Sequence, residues 1–277
     1  NIIALAAFLR PYEAAICAPT GHINVHETGA LEATGHKILT CGAKDGKVIP
    51  GSVAEVCARH TDEHMVFPKL LYISQPTEIG TVYSQSELKE LRRVCDENGL
   101  ILFVDGARLG SALTSAECDM TLSDLAALAD CFYIGGTKNG LLFGEAMVIV
   151  NPALQANFRY MIKHNGGMMA KGRLCGVMFL TALENDDYFE WARHANAMAD
   201  IVREGMEKGG IPFYQRTTTN QIFAVLTQEQ NEALEQGFSY ERWEKLDGGK
   251  VAVRFVTSWA TSEEDAHKLA NVLEALA

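Results

Sequence analysis

What most restricts this chain is an alternation of short, near-continuous apolar runs with amphipathic helical stretches. The runs are residues 14–19 (AAICAP), 36–41 (HKILTC), 69–74 (KLLYIS), 100–105 (LILFVD), 131–136 (CFYIGG) and 145–150 (EAMVIV). A strand with one wet face alternates polar and apolar side chains, whereas a strand covered on both faces reads as an unbroken apolar run. Between the runs lie helices such as 84–99 (SQSELKELRRVCDENG), where Ser84, Ser86 and Glu87 favour a start and Asn98-Gly99 a stop. Buried strands separated by helices predict an α/β doubly wound fold with a mostly parallel sheet.

The texture changes after residue 151. Three helical stretches, 152–164, 169–184 and 187–208, precede strand-like 211–215 (IPFYQ), 221–227 (QIFAVLT) and 251–259 (VAVRFVTSW), a turn at Asp247-Gly248-Gly249 and a closing helix over 262–276. The expected division is a large domain over 1–184 and a small α+β domain over 185–277. At the other end, Asn1 leads directly into an apolar helical run that stops at Pro11. The sequence is therefore expected to begin inside a domain.

A mix of 48% hydrophobic and 21% charged residues over 277 positions can bury a real core. A net charge of −11 argues against a general grip on nucleic acid or on an anionic membrane, since both need clustered Lys and Arg. No apolar stretch approaches the ~20 residues needed to span a bilayer, and no secretory leader opens the chain; a cytoplasmic protein is expected. The seven cysteines are scattered without C-x-x-C spacing, which points to reduced thiols rather than a disulfide framework or zinc knuckle. His22 and His26 lie four apart in HINVHE, but Ile23 and Val25 make that segment read as strand rather than helix. No metal site is expected.

Ligands of an open parallel sheet bind beyond the carboxyl ends of its strands. His22 follows ICAPTG, Asp105 ends LILFV, Arg108 lies three residues further, and Lys138 follows FYIGGT. Nucleotide sites lack support: no G-x-G-x-x-G follows a first strand, and GGTKNG lacks phosphate-loop spacing. A lysine, an aspartate, a histidine and an arginine at strand ends are what pyridoxal phosphate requires. The lysine amine must form a Schiff base with the aldehyde, and so must be unprotonated part of the time; a crowded, desolvated loop such as that around Lys138 favours this. A carboxylate, here Asp105, keeps the pyridine nitrogen protonated so that the ring can accept electrons. His22 can stack on the ring, and Arg108 or Arg254 can grip an α-carboxylate bidentately. Taken singly, each has a structural reading: Asp105 as a turn former, Arg108 as its ion-pair partner, Lys138 as a surface lysine, His22 as a structural histidine, Arg254 as a solvent-facing strand residue. Their joint order at strand ends favours chemistry.

The stretches HINVHETGA, SQPTEIGTVYS, LILFVDGARLGSAL and IGGTKNGLLFGEAMVI resemble the low-specificity threonine aldolases. These belong to the beta-eliminating lyase group of pyridoxal phosphate enzymes with the aspartate aminotransferase-like fold (fold type I), and the resemblance covers nearly the whole chain. It implies a three-layer αβα large domain and a small C-terminal domain. It implies Lys138 as the Schiff-base lysine with Thr137 beside it on the cofactor, Asp105 as the partner of the pyridine nitrogen, His22 as the stacking residue, and Arg108 with Arg254 on the carboxylate. Asn1 is implied as the tail of the phosphate loop, the rest of which would precede the sequence. Many relatives carry a second histidine where alignment on Gly80 puts Glu78, so Glu78, or a water it positions, is expected near the substrate hydroxyl. The family's phosphate-binding arginine has no plain match in NGGMMAKGRL; Lys171 or Arg173 could substitute, reaching a neighbouring subunit. The implied reaction cleaves threonine, allo-threonine or a related β-hydroxy-α-amino acid to glycine and an aldehyde. The alternatives are β-elimination from another amino acid and, from a different class, a non-catalytic truncated scaffold. A homodimer or homotetramer with shared active sites, acting on a small amino acid, is expected.

Overall fold

The computed structural model describes residues 1–276. In chain order the strands of its first half are β1 (Glu13–Cys17), β2 (Ile38–Thr40), a small hairpin of β3 (Ala43–Lys44) and β4 (Lys47–Val48), β5 (Phe67–Ser74), β6 (Ile101–Asp105), β7 (Cys131–Gly135) and β8 (Glu145–Ile149). All but the hairpin join one sheet in the order β2-β1-β5-β6-β7-β8. It is parallel throughout except that β8 runs antiparallel to β7. Strands β1, β6 and β7 are buried at every residue, as their unbroken apolar sequences require. The edge strands differ: β2 and β8 are only partly buried, because they lie at the margin of the apolar layers. The expectation of burial on both faces fails there.

The helices are α1 (Ile2–Phe8), α2 (His22–Val25), α3 (Pro50–Arg59), α4 (Gln85–Asn98), α5 (Leu109–Leu113), α6 (Leu122–Leu128), α7 (Phe158–His164), α8 (Arg173–Glu184), α9 (Asp187–Lys208), α10 (Gln228–Glu235) and α11 (Glu263–Ala275). Successive strand side chains point to opposite faces, and the sheet is covered on both. Leu71, Leu102, Val104 and Phe132 pack with Val53 of α3 and Leu88 and Leu91 of α4. Leu70, Tyr72 and Phe103 pack on the other side with Leu5 and Phe8 of α1 and Phe158 of α7. The result is a three-layer α/β sandwich. Helix α4 begins on the Ser84–Glu87 capping box and ends at Gly99, whose φ of 63° suits a residue without Cβ. The segment HINVHE corrects the sequence reading: it is the short helix α2, not a strand. Its backbone closes locally, from Val25 N–H to Gly21 O at 3.2 Å and from His26 N–H to His22 O at 2.9 Å, while Ile23 is buried. Packing of Ile23 overrides the β preference of two branched residues.

The second half closes on an antiparallel sheet in the order β11-β12-β10-β9, made by β9 (Phe213–Gln215), β10 (Gln221–Leu226), β11 (Glu241–Lys245) and β12 (Val251–Val256). Helices α9 and α11 cover it, with Val202, Met206, Ile222, Val253 and Leu273 at its core. A buried polar seam fastens α9 and this sheet to α5. Ser111 Oγ donates to Asn196 Oδ1 at 2.6 Å, Asn196 Nδ2 donates to Ser111 O at 3.0 Å, and Asn220 N–H donates to Ser111 Oγ at 3.0 Å. No helix among the described residues is long and apolar enough to cross a membrane.

Candidate active site

The carboxyl ends of the central strands meet in one cleft. Strands β5 and β6 pair Ser74 with Asp105, so the two side chains start from adjacent positions. Just beyond, the chain segments carrying Asp105 and Lys138 cross at glycines. A Cβ at Gly106 would lie 1.9 Å from Tyr133 O, and one at Gly135 would lie 2.3 Å from Ala107 O. The Gly135 N–H donates to Gly106 O at 2.9 Å. Only glycine permits that approach.

Asp105 is 3% exposed. Its Oδ1 accepts from Ala107 N–H at 2.9 Å, and its Oδ2 accepts from Asn1 Nδ2 at 3.2 Å and from the Tyr72 hydroxyl. Burial first, then the Asp105 charge, push the Tyr72 and Tyr133 hydroxyls to higher pKa, keeping both phenols neutral. His22 Nδ1 lies 2.9 Å from Glu27 Oε1, which also accepts from Asn1 Nδ2 at 2.6 Å. This hydrogen bond raises the His22 pKa, and the charges of Glu78 and Asp105 add to it. Sequence reasoning missed Glu27; its signal was an acid five residues past the histidine, which faces it only because α2 forms. Glu78 accepts from Ser74 Oγ at 2.7 Å, and burial together with the Asp105 charge raises its pKa.

Lys138 is solvent-accessible as a residue. Partial burial of its ammonium nevertheless lowers its pKa, as do the Arg108 and Arg254 guanidiniums, against the opposing pull of Asp105 and Glu78. Arg108 makes no side-chain ion pair or hydrogen bond among the described residues, and its Nε is buried without a partner. Burial, with Arg254 nearby, pushes it down to about 10. Arg254 is differently placed: Nη1 donates to Gln221 Oε1 at 3.0 Å, Nη2 to Glu241, and the guanidinium lies 5.1 Å from the Trp243 ring. It is paired, so the picture of a solvent-facing arginine does not hold.

A cavity of about 600 Å³ opens beside these groups, lined by Asn1, His22, Ala107, Tyr133, Lys138 and Glu145 among others. Glu145 Oε2 accepts from Gly136 N–H at 2.8 Å and so holds the lysine loop. Thr137 is exposed next to Lys138. Lys171 and Arg173 are exposed and do not line the cavity. The donor set suits a pyridoxal ring: an amine for the aldehyde, a buried carboxylate for the ring nitrogen, an imidazole at the wall, and an orphaned guanidinium for an anion.

Comparison with known proteins gives a consistent picture. The sequence model described as beta-eliminating lyase matches residues 1–229. A low specificity L-threonine aldolase of Pseudomonas aeruginosa is 32% identical over 274 residues, covering 98% of this chain and 78% of the relative. A namesake from Saccharomyces cerevisiae is 24% identical, covering 95% and 68%. The solved threonine aldolase of Leishmania major superposes with a TM-score of 0.97 at 45% identity, covering 100% of this chain and 81% of that one. An aspartate aminotransferase of Thermus thermophilus, at 16% identity and a TM-score of 0.69, shares the fold.

Proposed function

Because this chain belongs to the beta-eliminating lyase family, we propose that it is a pyridoxal phosphate-dependent aldolase that cleaves threonine, allo-threonine or a related β-hydroxy-α-amino acid to glycine and an aldehyde. The observation that carries this reading is the convergence on one cleft of an amine of lowered pKa, a buried carboxylate and an unpaired guanidinium: Lys138, Asp105 and Arg108. When bound, the cofactor supplies an electron sink for the bond that breaks at Cα. Asp105, held by hydrogen bonds from the Ala107 N–H, Asn1 and Tyr72, would face the ring nitrogen and supply the carboxylate it needs. Lys138 would hold the cofactor through its amine, with Thr137 and Asn1 as further polar contacts, and His22 would lie against the ring. Arg108 and Arg254 would take the substrate α-carboxylate, which would give the half-buried Arg108 guanidinium a partner for its orphaned Nε. Glu78 would accept the proton of the β-hydroxyl directly or through a water; its raised pKa and its hydrogen bond from Ser74 support this role.

We divide the chain into a large domain over 1–184 and a small one over 185–277, at the junction of α8 and α9. For a second copy the outer face of α8 is the candidate, where Leu174, Val177 and Leu180 are exposed. The inner face abuts the lysine loop, with Phe179 against Gly136 and Cys175 against Gly144, so a partner there would border the site. The free cysteines support a reducing compartment, the cytoplasm. The test is product analysis of the cofactor-loaded protein. Acetaldehyde and glycine from L-threonine or L-allo-threonine, lost in Lys138→Ala, are expected; ammonia with a keto acid would replace the reading by β-elimination, and no turnover of any amino acid would remove it.

A further inference from the structure

Resting on Arg254 as a carboxylate grip, we infer that Glu241 is a built-in competitor for that grip: a carboxylate of the chain itself that holds Arg254 until an amino-acid substrate displaces it. Strand β11 is the polar edge of the small sheet, and Glu241 lies directly opposite Arg254 of β12 in the ladder. The Glu241 carboxylate accepts from Arg254 Nη2, and Gln221 Oε1 accepts from Nη1 at 3.0 Å. The third donor, Nε, is buried with no partner. A ligand carboxylate spanning Nε and Nη2 would fill the donor that Glu241 leaves empty, in the bidentate geometry that guanidinium favours. The two partners also differ in freedom: the Arg254 side chain is 16% exposed and that of Glu241 46%, so the acid can swing into solvent while the arginine stays.

An ordinary cross-strand ion pair would explain the bond but not the position of the pair. The β11–β12 ladder shifts register between Arg242 and Glu244, leaving Trp243 as the extra residue. Bulges of this kind re-aim a side chain and recur beside active sites. Here Trp243 lies 5.1 Å from the Arg254 guanidinium and 5.8 Å from the His26 ring, which is itself 5.5 Å from His22. The bulge thus brings the edge strand against the wall of the cleft. Trp243 and Gln221 keep Arg254 oriented when Glu241 leaves.

The experiment compares cofactor-loaded wild type with Glu241→Gln and Glu241→Ala, by calorimetric titration with glycine and by kcat and KM for L-threonine. Both variants are expected to bind glycine about three- to tenfold more tightly, with KM falling in parallel and kcat moving less. Equal or weaker glycine binding by variants that melt with the wild type overturns the inference, because Glu241 then serves to orient Arg254. Variants that melt far below wild type overturn it too, since the pair is then a structural one. Acetaldehyde release is scored separately. Tightened glycine binding without aldehyde leaves the inference standing and removes the aldolase reading, whereas aldehyde release with unchanged glycine affinity does the reverse.

Discussion

Arg108 shows at the scale of a single residue why this cleft expects an anion. Its half-buried guanidinium makes no ion pair among the described residues and its Nε is buried without a partner there, an arrangement that a bound anion would relieve. Arg108, Asp105 and Lys138 stand out in the sequence as candidates because each lies at, or within three residues of, the end of a buried strand. Glu27 does not, because its link to His22 depends on a four-residue helix that branched side chains disguise. That link is testable through pH. The folded-state pKa of His22 is raised above its ordinary 6.5, chiefly by Glu27. Its contribution to stability is therefore complete below pH 6.5 and is lost as pH rises through the folded-state value. Glu27→Gln should move the His22 ring titration, followed by proton NMR, to lower pH and remove this pH-dependent stability; an unchanged midpoint would show that Glu27 does not set it.

At the scale of elements, the strand ends were readable and the edges were not. Strands β6 and β7 announce themselves as continuous apolar runs. Strand β11 reads Glu-Arg-Trp-Glu-Lys and is almost wholly exposed, so no periodicity marks it, and only pairing with β12 makes it a strand. The same holds for the hairpin of β3 and β4, whose strands have two residues each. The close approach of the chain just past β6 to β7 carries a sharper expectation. Gly106→Ala would set a methyl 1.9 Å from Tyr133 O, forcing apart the segments that bear Asp105 and Lys138. A loss of about 1–3 kcal/mol in denaturant unfolding is expected, with aldehyde release reduced by about a hundredfold from the misplaced groups. Wild-type activity in this variant would show that the close approach is not needed.

For the whole molecule, the mostly parallel α/β sheet and the later α+β unit followed from run length and alternation, whereas their docking did not. The seam of Ser111, Asn196 and Asn220 is polar, buried and contributed by segments far apart in sequence, which no local pattern encodes. It joins α5, which starts directly after Arg108, to the segment leading into β10, the strand paired with the β12 that carries Arg254. The proposed subunit contact also belongs to this scale. Leu180 is 64% exposed on α8, and Leu180→Glu should shift sedimentation toward a smaller species while the monomer fold persists; an unchanged sedimentation coefficient would place the partner elsewhere. The most direct test of the central claim is covalent. Borohydride reduction of the cofactor-loaded protein, followed by peptide mapping, should leave the pyridoxyl mark on Lys138, and a mark on another lysine, or none, would contradict it.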